Sequence, residues 1–176
     1  NSIGVIIPSR LRRIITSDQL KMYLKYYQWI LKIRQLIYKL ATIPFARQYA
    51  GLRMQLNQFF ISLYQITFTE IETGLYKLMN QFENAKSFDE LVDAHKNFVE
   101  YISLAVLSDQ ENISSEINSI IDFSFNFCDH APEMDADEIY QCSQQFTSFK
   151  TFLNKLLAIP AQRNPTGIIA TFLNSM

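Results

Sequence analysis

Glycine and proline are scarce here, four and five in 176 residues. So few glycines leave little room for tight turns, and so few prolines leave long stretches free to stay helical. Two cysteines, Cys128 and Cys142, are too few for a disulfide framework. No apolar run approaches the ~18 residues of a membrane span. The most hydrophobic stretch, "MYLKYYQWILKIRQLIYKL", carries Lys25, Lys32, Arg34 and Lys39 within it. Glycine-rich phosphate cradles of the GxGxxG or P-loop kind are missing, as is any serine elbow with a partner histidine. The single sequon at Asn112 weighs little against a reduced, soluble, intracellular setting, which is the expectation. The chain begins at Asn1 without a methionine and ends at Met176, and is expected to be a piece of a larger protein.

What is present in quantity is apolar and aromatic: 48% of residues are hydrophobic, with 14 Phe and 9 Tyr. A chain of this size buries a sizeable core and reads as one domain, residues 1–176. The net charge of −1 conceals an asymmetry. Residues 1–55 hold ten Lys/Arg against one acid, Asp18, and residues 56–176 hold six against 16. Such a split fits a basic surface for an acidic partner, one half docking on the other, or solvated faces that differ by chance.

The punctuation predicts an all-α bundle of about five longer helices with short terminal ones. "SRLRRII" after Pro8 predicts a short helix. Thr16 and Gln19 form a capping box that opens a helix to about Ala41, stopped by Pro44. One face of it carries Leu20, Leu24, Tyr27 and Leu31, the other Lys21, Lys25, Gln28, Lys32, Gln35 and Lys39. At ~1.5 Å per residue that basic stripe is about 27 Å long. A second helix is expected over roughly 46–82, softened at Gly74, and Ser87 with Glu90 caps a third that lasts to about Leu107. Further helices are predicted over about 114–129 and 136–158, the latter ended by Pro160. Asn164 and Pro165 then open a last short one. "DHAPEMDAD" reads as a flexible acidic loop. No β-alternation or internal repeat is visible.

Candidate sites are few. A helical metal site at His95 needs a second ligand three or four residues away, but those positions hold Leu91, Val92, Phe98 and Val99. His95 instead extends the stripe Leu91, Phe98, Ile102, and is expected to be a buried residue hydrogen-bonded to a neighbouring helix. His130, Cys128 and Cys142 fit no zinc spacing, and Asp135 with Asp137 reads as a solvated pair. No enzyme, cofactor or metal site is expected. The basic stripe suits an acidic protein surface better than nucleic acid, since the whole chain is near neutral and Tyr23, Tyr27 and Trp29 suit a core or interface.

The order of the segments resembles the C-terminal part of the gamma-tubulin complex proteins, the Grip-motif family. "IIPSRLRRIITSDQLKMYLKYYQWILKIRQLIYKL" is similar to that family's proline-led segment and long lysine-rich helix. "LRMQLNQFF" looks like its Leu-Arg pair with a spaced Phe, here Leu52, Arg53 and Phe59. "FTEIETGLYKLMNQFENAKSFDELVDAHKNFVEYI" resembles its most recognisable stretch, with Asp89, His95 and Phe98 in register. "YQCSQQFTSFKTFLNKLL" is similar to its final long helix. The sequence departs from the pattern at Leu75, where many members have tryptophan, at Leu56, where methionine is usual, and in a short connection over about 41–52.

The resemblance implies a non-enzymatic helical domain that binds gamma-tubulin within a microtubule-nucleating complex. Its partners would be gamma-tubulin and other complex subunits, with no nucleic acid, membrane or small-molecule substrate. It would act in the cytoplasm, at a microtubule-organising centre such as a centrosome or spindle pole. Arg10, Arg12, Arg13, Lys21, Lys25 and Lys32 are the expected contact residues. Arg53 is expected to be structural, a buried ion-pair partner for the acidic half. A helical scaffold for some other partner is the alternative.

Overall fold

The computed structural model describes residues 8–105, 111–164 and 167–175. Helices alone make up its regular structure among those residues. A 3-10 turn over Ser9–Arg13 leads into α1 (Ser17–Thr42), α2 (Ala50–Asn84), α3 (Phe88–Ala105), α4 (Glu111–His130), α5 (Ala136–Arg163) and α6 (Ile168–Ser175).

The start of α1 follows the sequence. The Thr16 hydroxyl accepts from the Gln19 amide at 3.3 Å, and the Gln19 side chain accepts from the Thr16 amide at 2.8 Å. At α3 the box is shifted by one residue: Ser87 Oγ accepts from the Glu90 amide, but the Glu90 carboxylate accepts from Lys86 rather than from Ser87 itself.

Three expectations need correction. Helix α2 begins at Ala50, not near 46, because residues 43–49 fold into a compact connection. There the buried Tyr49 directs its hydroxyl to the Pro44 carbonyl. The acidic stretch is a tight, structured link: Asp135 and Glu138 form a second complete capping box, and Ala131 is wholly buried. Pro160 does not end α5, which runs to Arg163. A proline costs the helix one amide donor and the carbonyl four residues back its partner. Burial of Leu157 and Ala161 on either side holds the last turn together, and the Asn164 amide closes it on the Pro160 carbonyl at 3.1 Å. Asn164 therefore terminates α5; Pro165 lies outside the described residues.

Helices α1 and α2 form an antiparallel pair with two cores along its length. The larger joins the C-terminal half of α1 (Ile33, Leu36, Leu40) and the first half of α2 (Leu52, Leu56, Phe60, Leu63) to α4, α5 and Phe172 of α6. Phe59 is its aromatic hub, with edge contacts to Phe60, Phe146 and Phe172 at 5.0–6.0 Å between centroids. The smaller core joins Tyr26 of α1 to Phe98 and Ile102 of α3, with Met22, Tyr23, Ile71 and Leu78 packed around them. Trp29 touches both cores.

Helix α4 runs parallel to α1. Ser114 and Asn118 lie beside Lys25 to Lys32, and Phe125 and Asp129 lie beside Lys39. The two helices thus stay side by side for about four turns.

Candidate functional site

The sequence-predicted basic residues separate into three settings. Arg12 and Arg13 are exposed on the 3-10 turn ahead of α1, and the side chain of Arg10 lies outside the described residues. Lys21 is exposed but engaged, 3.0 Å from Asp18 one turn earlier. Lys25 and Lys32 share one setting: both edge a depression of about 200 Å³ along the α1–α4 seam, over Tyr26 and Trp29 and beside Ser114 and Asn118. Their helical spacing of seven residues puts them about 10 Å apart along the axis.

Lys39 leaves the basic stripe. It pairs with Asp129 and sits 5.5 Å from the centroid of the Phe125 ring, closing the lower end of the same seam. Above that closure lies a second, more apolar depression of about 510 Å³, lined by Leu31, Arg34, Gln35, Tyr38, Lys39 and Phe125. Sequence reasoning missed this half. Ser114, Asn118, Phe125 and Asp129 fall on one stripe of α4, but that this stripe meets α1 across some ninety residues has no local signal.

His95 is buried, 4% exposed, and is held by a neighbouring helix: Nε2 lies 2.8 Å from the Tyr23 hydroxyl. Nδ1 has no hydrogen-bond partner of standard geometry among the described residues. Burial lowers the imidazole pKa from its usual 6.5, and the Ile14 backbone carbonyl partly opposes that shift. Burial also pushes the Tyr23 phenol up to about 12, with Tyr26 adding to it.

Arg53 is the clearest correction. Its guanidinium donates to the Ile43 carbonyl at 3.2 Å and the Ala41 carbonyl at 3.0 Å, not to a carboxylate. It fastens the end of α1 to the start of α2, satisfying carbonyls that a helix C-terminus leaves open. The charge comes from one residue, but its partners are backbone.

Cys128 and Cys142 are free thiols. Burial pushes Cys128 up to about 11, and Cys142 is raised as well, so neither favours the reactive thiolate. His130 directs Nδ1 to the Asn126 carbonyl of its own helix at 2.9 Å. Among the described residues no group of three His, Cys, Asp or Glu could hold a metal ion, and no helix is long and apolar enough to cross a membrane.

A family model described as gamma tubulin complex component C-terminal matches residues 6–165. The chain belongs to that family. No curated protein gives a significant match. The match runs from ahead of the 3-10 turn to the end of α5, and so takes in both cores, the α1–α4 seam and the Tyr23–His95 contact. The four stretches that carry the resemblance lie in contiguous, mutually packed helices of this range. The Leu-Arg pair at 52 and 53 sits at the head of α2, the stretch ending at His95 and Phe98 spans the α2–α3 hairpin, and the last matching helix is α5. The match thus places the chain among the gamma-tubulin complex components.

Proposed function

We propose that this chain is a non-enzymatic gamma-tubulin-binding domain, and that the basic edge formed by the 3-10 turn and α1 is its contact surface. Membership of the gamma-tubulin complex component family over nearly the whole chain carries the reading. The exposure of Arg12, Arg13, Lys25 and Lys32 along that edge supports the choice of surface. Tubulins are acidic proteins, and a row of cations steers and orients such a partner before contact. The place of action would be a microtubule-organising centre, a centrosome or spindle pole.

Binding of purified gamma-tubulin to the folded chain, at low and at physiological salt, tests the reading. Saturable binding that weakens with salt is expected. A well-folded sample that binds nothing would overturn it.

A second reading has its own observation. The outer face of α2 exposes Phe68, Leu75, Met79 and Phe82, one apolar stripe in helical step. That face suits a contact with another subunit of the complex, which makes scaffolding the alternative role. Binding of another complex component that survives loss of gamma-tubulin binding would favour it.

A further inference from the structure

The α1–α4 seam carries a cationic half and an apolar half in series. Lys25 and Lys32 edge the first, with Ser114 and Asn118 on its far wall. Leu31, Tyr38 and Phe125 form the second, with Arg34 and Gln35 at its rim. The ends of the row of cations are already neutralised, Lys21 by Asp18 and Lys39 by Asp129. Between them, Lys25, Lys32 and Arg34 form no ion pair among the described residues. Of these three, Arg34 borders the apolar seat, in which Tyr38 is 70% exposed, while Lys32 and Lys25 stand further up the helix along the cationic half. A surface Tyr beside unpaired cations is the composition of an anchor site: the aromatic group supplies affinity, and the charges supply orientation.

We propose that the α1–α4 seam binds an acidic segment of its protein partner that carries one bulky apolar side chain. The carboxylates meet Lys25 and Lys32, and the apolar group seats over Leu31, Tyr38 and Phe125. Charge complementarity selects this occupant. A basic segment would meet three like charges, and a purely apolar one would leave the cationic half unused. The spacing is also constrained. Lys32 and Lys25 lie six and thirteen residues before Tyr38, so the carboxylates sit roughly 10–20 Å from the anchor at ~1.5 Å per residue. An extended segment covers that distance in about three to six residues. For the identity of the partner, gamma-tubulin, this rests on the reading above; the chemistry of the seam does not.

The test compares binding of purified gamma-tubulin to the wild-type chain, to a Lys25→Glu, Lys32→Glu double variant, to Tyr38→Ala and to a control, Lys96→Glu on α3. All four positions are exposed, and a helical spectrum and an unchanged melt verify each fold. The expected result is a loss of at least tenfold in affinity for the double variant and for Tyr38→Ala, with Lys96→Glu unchanged. Equal binding by every variant would overturn the seam while leaving gamma-tubulin binding standing. Loss in the double variant alone would overturn the apolar seat, and with it the proposal. If the wild-type chain binds no gamma-tubulin, the functional reading fails. The seam is then read with a labelled peptide bearing a run of glutamates and one tryptophan five residues away. Saturable binding weakened by both Lys32→Glu and Tyr38→Ala would uphold it, and no binding would overturn it.

Discussion

The Tyr23 hydroxyl lies 2.8 Å from Nε2 of His95, linking α1 to α3 across 72 residues. The two rings also meet edge to face, with centroids 5.9 Å apart. Helix α3 packs chiefly on α2, so this contact and the cluster of Tyr26, Phe98 and Ile102 fix it to α1. Tyr23→Phe keeps the ring and leaves a buried imidazole without its partner. An unsatisfied buried polar group costs about 1–3 kcal/mol, and urea unfolding should show a loss of that size. A Tyr23→Phe protein as stable as wild type would mean that the hydroxyl contributes nothing.

The same histidine sets a pH dependence. Its folded-state pKa is lowered below 6.5, so the folded chain favours the neutral ring. As pH falls through 6.5 the unfolded chain takes up the proton first, and stability falls with it. The contribution is whole above about 6.5 and is lost as pH drops through the folded value. The urea midpoint should fall between pH 7.5 and pH 5.5, and His95→Gln should reduce that fall. An identical slope in the variant would assign the effect to other groups.

Gly74 sits where α2 and α3 touch. A Cβ there would lie 2.8 Å from Cδ1 of Tyr101 and 3.2 Å from Cε2 of Phe98. Tyr101 cannot swing away freely, because its hydroxyl donates to Glu70 and its ring lies 4.7 Å from the Lys77 ammonium. Alanine is the better helix former by about 1 kcal/mol, but overpacking a close contact costs about 1–3 kcal/mol. Gly74→Ala is therefore expected to be neutral to destabilising, by up to about 2 kcal/mol in thermal or urea unfolding. A clear gain in stability would show that the two helices separate at little cost.

These cases mark what the sequence makes legible. The Thr16–Gln19 box is a local pattern, and α1 follows it. The expected stripe of Leu20, Leu24, Tyr27 and Leu31, in contrast, is not the buried face of α1: Tyr26, Ile33, Leu36 and Leu40 are buried, and Tyr27 is 47% exposed. His95 was readable as a buried, hydrogen-bonded residue because its own face offers no second ligand. That its partner is Tyr23 was not, since the contact depends on how α3 lies on α1. The Asp135–Glu138 box was hidden inside a run of acids that reads as a solvated loop, although its spacing is that of a cap. Pro160 misleads for the opposite reason: a strong local stop signal yields to the burial of Leu157 and Ala161. The α1–α4 seam lies furthest from reach. Lys25 and Lys32 were visible as a stripe, but their neighbours Ser114 and Asn118 belong to a helix placed there by the core.

Arg53 gives a prediction that separates two kinds of structural arginine. Were it paired with a carboxylate, added salt would screen the pair. Bonded instead to the Ala41 and Ile43 carbonyls, it stabilises by donating to fixed backbone acceptors. Arg53→Met keeps most of the stem and loses both bonds, at an expected cost of roughly 1–3 kcal/mol. That difference from wild type should change little between low and high salt in urea unfolding. A difference that vanishes at high salt would instead favour an ion pair.

The basic edge itself is tested by charge reversal at Arg12, Arg13 and Lys25, read as gamma-tubulin affinity. Exposed ion pairs are worth about 0–1 kcal/mol, so neutralising any one of these residues should weaken binding by no more than about fivefold, and reversal, which adds repulsion, by more. The triple variant should fall further. Its remaining binding should also depend less on salt, because fewer charges are left to screen. Lys21→Glu serves as the internal comparison. Lys21 already pairs with Asp18, so it offers less of a direct contact to a partner carboxylate, and reversing it should cost less than reversing Lys25. Equal losses at Lys21 and Lys25 would point to a long-range effect of net charge. Intact binding by the folded triple variant would remove the basic edge from the contact altogether, and the exposed apolar face of α2 would become the surface to test.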